Sequence, residues 1–165
     1  MAKIVVFEDG PKILQIIEDQ LHMHEIVAIG QTLSQAFTIL GQLACGEVEA
    51  DIVLIDGNLR QERHDPVFYF EPSAPDTPPQ KSHLIARQPV VISSDENAAH
   101  GSSYEQPGRD AKAIVDIMQR CNIMAQTIGI AGDPMDDNGV EVDYDLTKNH
   151  LDHLADVIDS LVQPN

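Results

Sequence analysis

Apolar and polar positions along this chain fall into two periods. Two short runs carry no polar interruption, Ile4-Val5-Val6-Phe7 and Ile52-Val53-Leu54-Ile55, and each stops at carboxylates, Glu8-Asp9 and Asp56. Such runs suit strands covered on both faces, the mark of a parallel sheet sheltered by helices. Between them the period lengthens to three and four residues. Ile13, Leu14, Ile16, Ile17 and Leu21 make one stripe, which predicts a helix from Pro11 to about residue 22, with proline suited to its first turn.

The same alternation continues to the end of the chain. Strands are predicted at 3–7, 25–30, 51–56, 89–93 and 127–131. Thr32 or Ser34 caps a second helix to about residue 44, and Gly46 stops it. Ala111, Ile114, Val115 and Met118 define a helix over roughly 109–121. A last helix, capped by Asp145, runs to about residue 162 with Leu151, Leu154, Ile158, Leu161 and Val162 inward. Five strands alternating with helices imply an α/β fold of the flavodoxin-like, doubly wound kind. Its parallel sheet has strand order 2-1-3-4-5 and helices on both faces.

Two stretches break the rhythm. Over about 60–88 the prolines Pro66, Pro72, Pro75, Pro78 and Pro79 exclude a regular helix, so an irregular insertion is expected there. Within it Phe68 and Phe70 are expected to pin the segment to the core. The other stretch, 94–108, is polar and rich in small residues. Neither separates two domains, and residues 1–165 are expected to form one domain around one core, with no internal repeat.

Composition narrows the class. At 165 residues and 42% hydrophobic, the chain is long enough for a sizeable core. No apolar run approaches a membrane span, and Met1-Ala2-Lys3 leads straight into a strand, so a cytoplasmic protein is expected. Cys45 and Cys121 form no CxxC pair and are expected as reduced thiols. A net charge of −17 argues against a nucleic-acid surface, because phosphate backbones need Lys and Arg.

Candidate chemistry gathers where open α/β sheets bind ligands, beyond the carboxyl ends of the strands. Those ends present Glu8 and Asp9, Asp56 with Asn58, Ser93 with Ser94, and Asp133 before Pro134. Glu8, Asp9 and Asp56 in one pocket cannot all stay ionised without a cation, which points to a hard divalent metal such as Mg²⁺. Other patterns are weaker. His150 and His153 lie one turn apart, but a solvated helix face accounts for them better than zinc. Asp133, Asp136, Asp137, Asn138 and Gly139 lack the ligand alternation and terminal Glu of a calcium loop. There is no Walker lysine loop and no GxGxxG.

These residues resemble the receiver domain of bacterial two-component response regulators. The resemblance lies in Phe7-Glu8-Asp9-Gly10-Pro11-Lys12-Ile13, Asp51-Ile52-Val53-Leu54-Ile55-Asp56-Gly57-Asn58-Leu59 and Pro89-Val90-Val91-Ile92-Ser93-Ser94. It implies that Asp56 accepts a phosphoryl group from a histidine kinase. It further implies that Asp9 and Asp56 bind Mg²⁺ directly, Glu8 through water, and Asn58 through its backbone carbonyl. Ser94 would then hydrogen-bond the phosphoryl group. The implied role is a stand-alone phosphorelay switch rather than an enzyme. Its partners would be a histidine kinase or phosphotransferase and an output protein.

The chain also departs from that pattern. The family's lysine before a proline, after the last strand, is matched by Asp133-Pro134, which would repel a phosphoryl group. Lys12, Arg60 and Arg109 are the candidate substitutes. The aromatic switch residue has no match at Ile130 or Ala131, Asp95 follows Ser94, and the third helix is displaced by the insertion. A pseudo-receiver, a protein-interaction module without phosphotransfer, is the alternative. A flavodoxin-like ligand binder is disfavoured, because the loop after the first strand has no phosphate-cradling Ser, Thr and Gly.

Overall fold

A computed structural model describes residues 1–60, 68–69, 90–91 and 107–162. The strands of its main sheet are β1 (Lys3–Phe7), β2 (Glu25–Gly30), β3 (Ile52–Ile55), β4 (Gln126–Gly129) and β5 (Tyr144–Asp145). Four helices accompany them: α1 (Pro11–Gln20), α2 (Leu33–Cys45), α3 (Arg109–Arg120) and α4 (Leu154–Val162). The order across the sheet is β2-β1-β3-β4-β5, and every pairing is parallel. This is the expected 2-1-3-4-5 arrangement.

Strand alternation divides the core into two layers. Val5, Phe7, Val53 and Ile55 face α2 and α3, where they meet Ala36, Leu40, Ala111, Ile114 and Met118. Ile4, Val6, Ile52 and Leu54 face α1 and α4, against Ile17, Leu21, Leu154 and Ile158. All four residues of β3 are buried, as a strand covered on both faces requires.

Local chemistry sets the helix ends. Pro11 occupies the first turn of α1, and the Thr32 hydroxyl accepts the Gln35 N–H at 3.2 Å to cap α2. Gly46 ends α2 with a left-handed φ of 75°.

Two strands differ from the expected assignment. Of the 89–93 run only Val90–Val91 is described, and it lies outside the main sheet, pairing antiparallel with Phe68–Tyr69 in a separate two-residue ribbon. The 127–131 run is therefore the fourth strand, and the fifth is Tyr144–Asp145. No apolar run announces β5. It is an edge strand of two residues, so burial places little demand on its composition. Asp145 accordingly lies in β5 rather than capping the last helix, and its carboxylate accepts the Met135 N–H. The chain enters α4 through a 3₁₀ segment, Lys148–His153.

The third helix is present as α3, so it has not been displaced. What is reduced is the β4–β5 connection, whose helical content is one 3₁₀ turn, Asp136–Asn138. Met135 and Val140 in this connection are buried in the layer facing α2 and α3, supplying the apolar cover a crossover helix would otherwise give. Most of the expected insertion at 60–88, and Ser94, lie outside the described residues.

Candidate functional site

Backbone hydrogen bonds carry the sheet ladder one step past the strand ends and so fix the acidic side chains. Asp56 N–H donates to Phe7 C=O at 2.8 Å, and Glu8 N–H donates to Gly30 C=O at 3.1 Å. Glu8 and Asp9 leave β1 here, and Asp56 leaves β3 beside them. One carboxylate oxygen from each of Glu8, Asp9 and Asp56 lies within 4.8 Å of the others. Among the described residues, this is the group of acidic, His or Cys side chains placed to hold a metal ion.

The pocket is enclosed at its base. Glu8 is fully buried, Asp56 is 5% exposed, and Asp9 is partly exposed at the rim. Gly10 N–H donates to Glu8 Oε1 at 2.7 Å, and Gly57 N–H donates to Asp56 Oδ1 at 2.7 Å. Gly10 is needed for this approach, because a Cβ there would stand 2.8 Å from Glu8 Oε1. Both buried carboxyls are pushed above their ordinary values. Burial is the main cause in each, and at Glu8 the neighbouring Asp56 charge adds to it.

A lysine completes the site. Lys148, at the start of the 3₁₀ segment after β5, places Nζ 3.1 Å from Asp56 Oδ1 and 3.1 Å from Glu8 Oε2. Its backbone is anchored at the β4 exit, since Lys148 N–H donates to Ala131 C=O at 2.9 Å. Burial alone would lower the Lys148 pKa, but Asp56 and then Glu8 outweigh it and hold the ammonium above its ordinary value. Glu8 Oε2 is buried and has no hydrogen bond of acceptable geometry, so its contact with Lys148 is purely an ion pair. That leaves one acceptor aimed into the pocket with unused capacity. Together the carboxylates of Glu8, Asp9 and Asp56 offer three hard oxygen donors, which fit Mg²⁺ or Mn²⁺, ions that take carboxylates and keep several waters.

Lys148 corrects the sequence assignment of the cation position. Asp133 is exposed in the β4–β5 connection, and the lysine after the last strand is Lys148, because the last strand is β5. Sequence reading missed it because β5 has no continuous apolar run; the alternation Val140-Glu141-Val142-Asp143-Tyr144 that leads into it is the signal that could have found it. Of the substitutes considered, Lys12 and Arg60 are exposed, and Arg109 Nε lies 3.2 Å from Asp110 Oδ1.

Of the other departures, Asp95 lies outside the described residues. The residues leaving β4 beside Asp56 are Ile130, Ala131 and Gly132, none of which carries a hydroxyl. A Cβ on Gly57 would lie 3.3 Å from the Ala131 Cβ, so this strand end abuts the Asp56 loop. His150 and His153 do not converge on a metal. His150 Nδ1 is 2.9 Å from Thr147 Oγ1, while His153 is exposed beside Asp152. Asp133, Asp136 and Asp137 are exposed as well.

The fold is that of response-regulator receiver domains. Similar solved structures include the RcsB response regulator of Salmonella typhimurium, at 9% identity and a TM-score of 0.56. The match covers 97% of this chain but 60% of that one, so the chain spans less than two thirds of RcsB. The receiver domain of the histidine kinase CKI1 from Arabidopsis thaliana, solved with Mg²⁺, matches at 14% identity and a TM-score of 0.50, covering 97% and 91% of the two chains. A mutant of the same receiver matches at 14% identity and a TM-score of 0.51, covering 97% and 89%. No protein-family model and no curated protein sequence matches the chain. Among the described residues, no helix is long and apolar enough to cross a membrane.

Proposed function

We propose that this protein is a receiver-type signalling switch in which Asp56 accepts a phosphoryl group from a histidine kinase or phosphotransferase. The observation that carries the reading is the ammonium of Lys148 at 3.1 Å from both Asp56 Oδ1 and Glu8 Oε2. With Lys148 in that place, Asp133 no longer stands against phosphorylation.

Asp56 Oδ1 is engaged by Gly57 N–H and by Lys148, which leaves Oδ2 as the attacking oxygen. Oδ2 forms a bond to phosphorus as the donor P–N bond breaks, and the electron pair returns to the imidazole nitrogen of the donor histidine. Asp9 and Asp56, with the backbone carbonyl of Asn58, would hold Mg²⁺ directly and Glu8 would hold it through water. The ion would supply charge neutralisation at the transferring group. Lys148 is free to exchange a carboxylate oxygen for a phosphoryl oxygen, because its Nζ already sits between the two buried acids. The protein would act on an output partner rather than catalyse turnover of a substrate.

A specific observation favours the alternative of a pseudo-receiver. Ala131 stands at the β4 exit beside the Asp56 loop, where it offers no hydroxyl to a phosphoryl group. One experiment separates the readings. Incubation with acetyl phosphate and Mg²⁺, followed by intact mass, should show a single added phosphoryl group that Asp56→Asn abolishes. Unlabelled wild type with an intact fold and bound Mg²⁺ would establish the interaction module instead.

A further inference from the structure

The loop after β3 is clasped from outside the acidic pocket by the first turn of α3. Asp110, in that turn, is 1% exposed, and its Oδ2 accepts the Leu59 N–H at 3.0 Å. Arg109 Nε donates to the other oxygen, Oδ1, at 3.2 Å, which fixes the carboxylate plane. One residue on, Ala111 N–H donates to Gly57 C=O at 3.2 Å. Leu59 itself is anchored, with its side chain 4% exposed in the core.

These contacts bracket one peptide unit. The Leu59 N–H and the Asn58 C=O belong to the same planar group, and none of the described peptide bonds is cis. In a trans peptide the N–H and C=O bonds point in opposite directions. An N–H held toward Asp110 therefore turns the Asn58 carbonyl away from α3. The preceding carbonyl, of Gly57, is taken by Ala111, so Asn58 presents the next backbone oxygen after Asp56.

We propose that Asp110 is a positioning residue for the metal: by holding the Leu59 N–H it aims the Asn58 carbonyl at the Glu8-Asp9-Asp56 pocket. The inference rests on the proposed reading of that pocket as a Mg²⁺ site. Asp110 touches neither the metal nor the phosphoryl group; it acts through a peptide plane. Partners that orient metal ligands in this way commonly tune affinity by a factor of ten or more.

The sequence offers an unusually clean probe. Asn58-Leu59 is the only Asn-Leu dipeptide in the chain. Labelling Asn with ¹³C at the carbonyl and Leu with ¹⁵N gives one cross-peak that reports both ends of this peptide. In the full-length wild type, Mg²⁺ titration should shift its carbonyl frequency to saturation, in step with calorimetric binding. Asp110→Ala should weaken Mg²⁺ by about tenfold and move the Leu59 amide proton upfield. Asp110→Asn keeps an acceptor oxygen and should stay within about threefold of wild type. A folded Asp110→Ala with unchanged affinity and carbonyl shift would overturn the proposal. Should that variant not fold, the wild type still decides. Asp56-dependent calorimetric binding with a static Asn58 carbonyl overturns this inference alone, whereas no Mg²⁺ binding at all removes it together with the reading it rests on.

Discussion

Lys148 Nζ lies 3.1 Å from Asp56 Oδ1, joining the first residue of the 3₁₀ segment beyond β5 to the residue that follows β3. The same nitrogen stands 3.1 Å from Glu8 Oε2. One ammonium thus serves two buried carboxylates, with Asp9 at the rim. Its single positive charge compensates them only in part, and the raised Glu8 and Asp56 pKa values reflect that deficit together with burial.

Lys148→Met should destabilise the metal-free protein, because it leaves Glu8 and Asp56 buried without their counter-charge. Breaking a fully buried pair costs about 3–5 kcal/mol; with the lysine side chain 26% exposed, roughly 2–3 is expected. Urea denaturation in chelator measures it. The same variant should bind Mg²⁺ more tightly than wild type, since no internal cation then competes. Unchanged stability would mean that the contact is not formed in solution.

The pH dependence follows from the two raised carboxyls. Burial first, and then Asp56, lifts Glu8 above its ordinary 4.5; burial lifts Asp56 above its ordinary 3.8 against the pull of Lys148. In the window above those values the folded chain keeps protons that the unfolded chain has released. Their contribution to stability is complete below the ordinary values and is lost as pH rises through the folded ones. Asp56→Asn cannot ionise, so without metal it should be more stable than wild type at neutral pH, by roughly 1 kcal/mol. Thermal melts across the acidic range should show that advantage shrinking as pH falls. An advantage that grows instead would contradict the assigned shifts.

Mg²⁺ should stabilise the fold by mass action. At a hundredfold excess over its dissociation constant the gain is about 2.7 kcal/mol, and Asp9→Ala should remove most of it. A melt series in Mg²⁺ tests this, with monovalent salt at equal ionic strength as the control. An equal gain from the monovalent salt would reduce the effect to general screening of the −17 charge.

Two glycines should respond oppositely to alanine. At Gly129 a Cβ would come 2.4 Å from Met135 Cγ and 3.3 Å from Asp145 Oδ1, so Gly129→Ala must displace the β4–β5 connection. A loss of about 1–3 kcal/mol is expected. Gly41 lies within α2 with nothing near its missing Cβ, so Gly41→Ala should add about 0.5–1 kcal/mol. Denaturation midpoints for the two variants on opposite sides of wild type are the check.

The sequence by itself determined β1 to β3, their helices and the acidic triad. Ile4–Phe7 and Ile52–Ile55 are buried on both faces, so their composition must be continuously apolar, and a strand end follows wherever that run stops at a carboxylate. Glu8, Asp9 and Asp56 were legible for that reason. Tertiary structure alone decided the rest. The run at Val90–Val91 looks like a sheet strand yet pairs with Phe68–Tyr69, since a short apolar pair satisfies either partner. Tyr144–Asp145 closes a short apolar–polar alternation from Val140 rather than an apolar run, because an edge strand of two residues is held by backbone hydrogen bonds and by the Asp145 carboxylate rather than by burial on both faces. From that strand hangs Lys148, and from the first turn of α3 hangs Asp110. Each meets a partner distant in sequence, through a directional polar contact that leaves no period in the sequence to read.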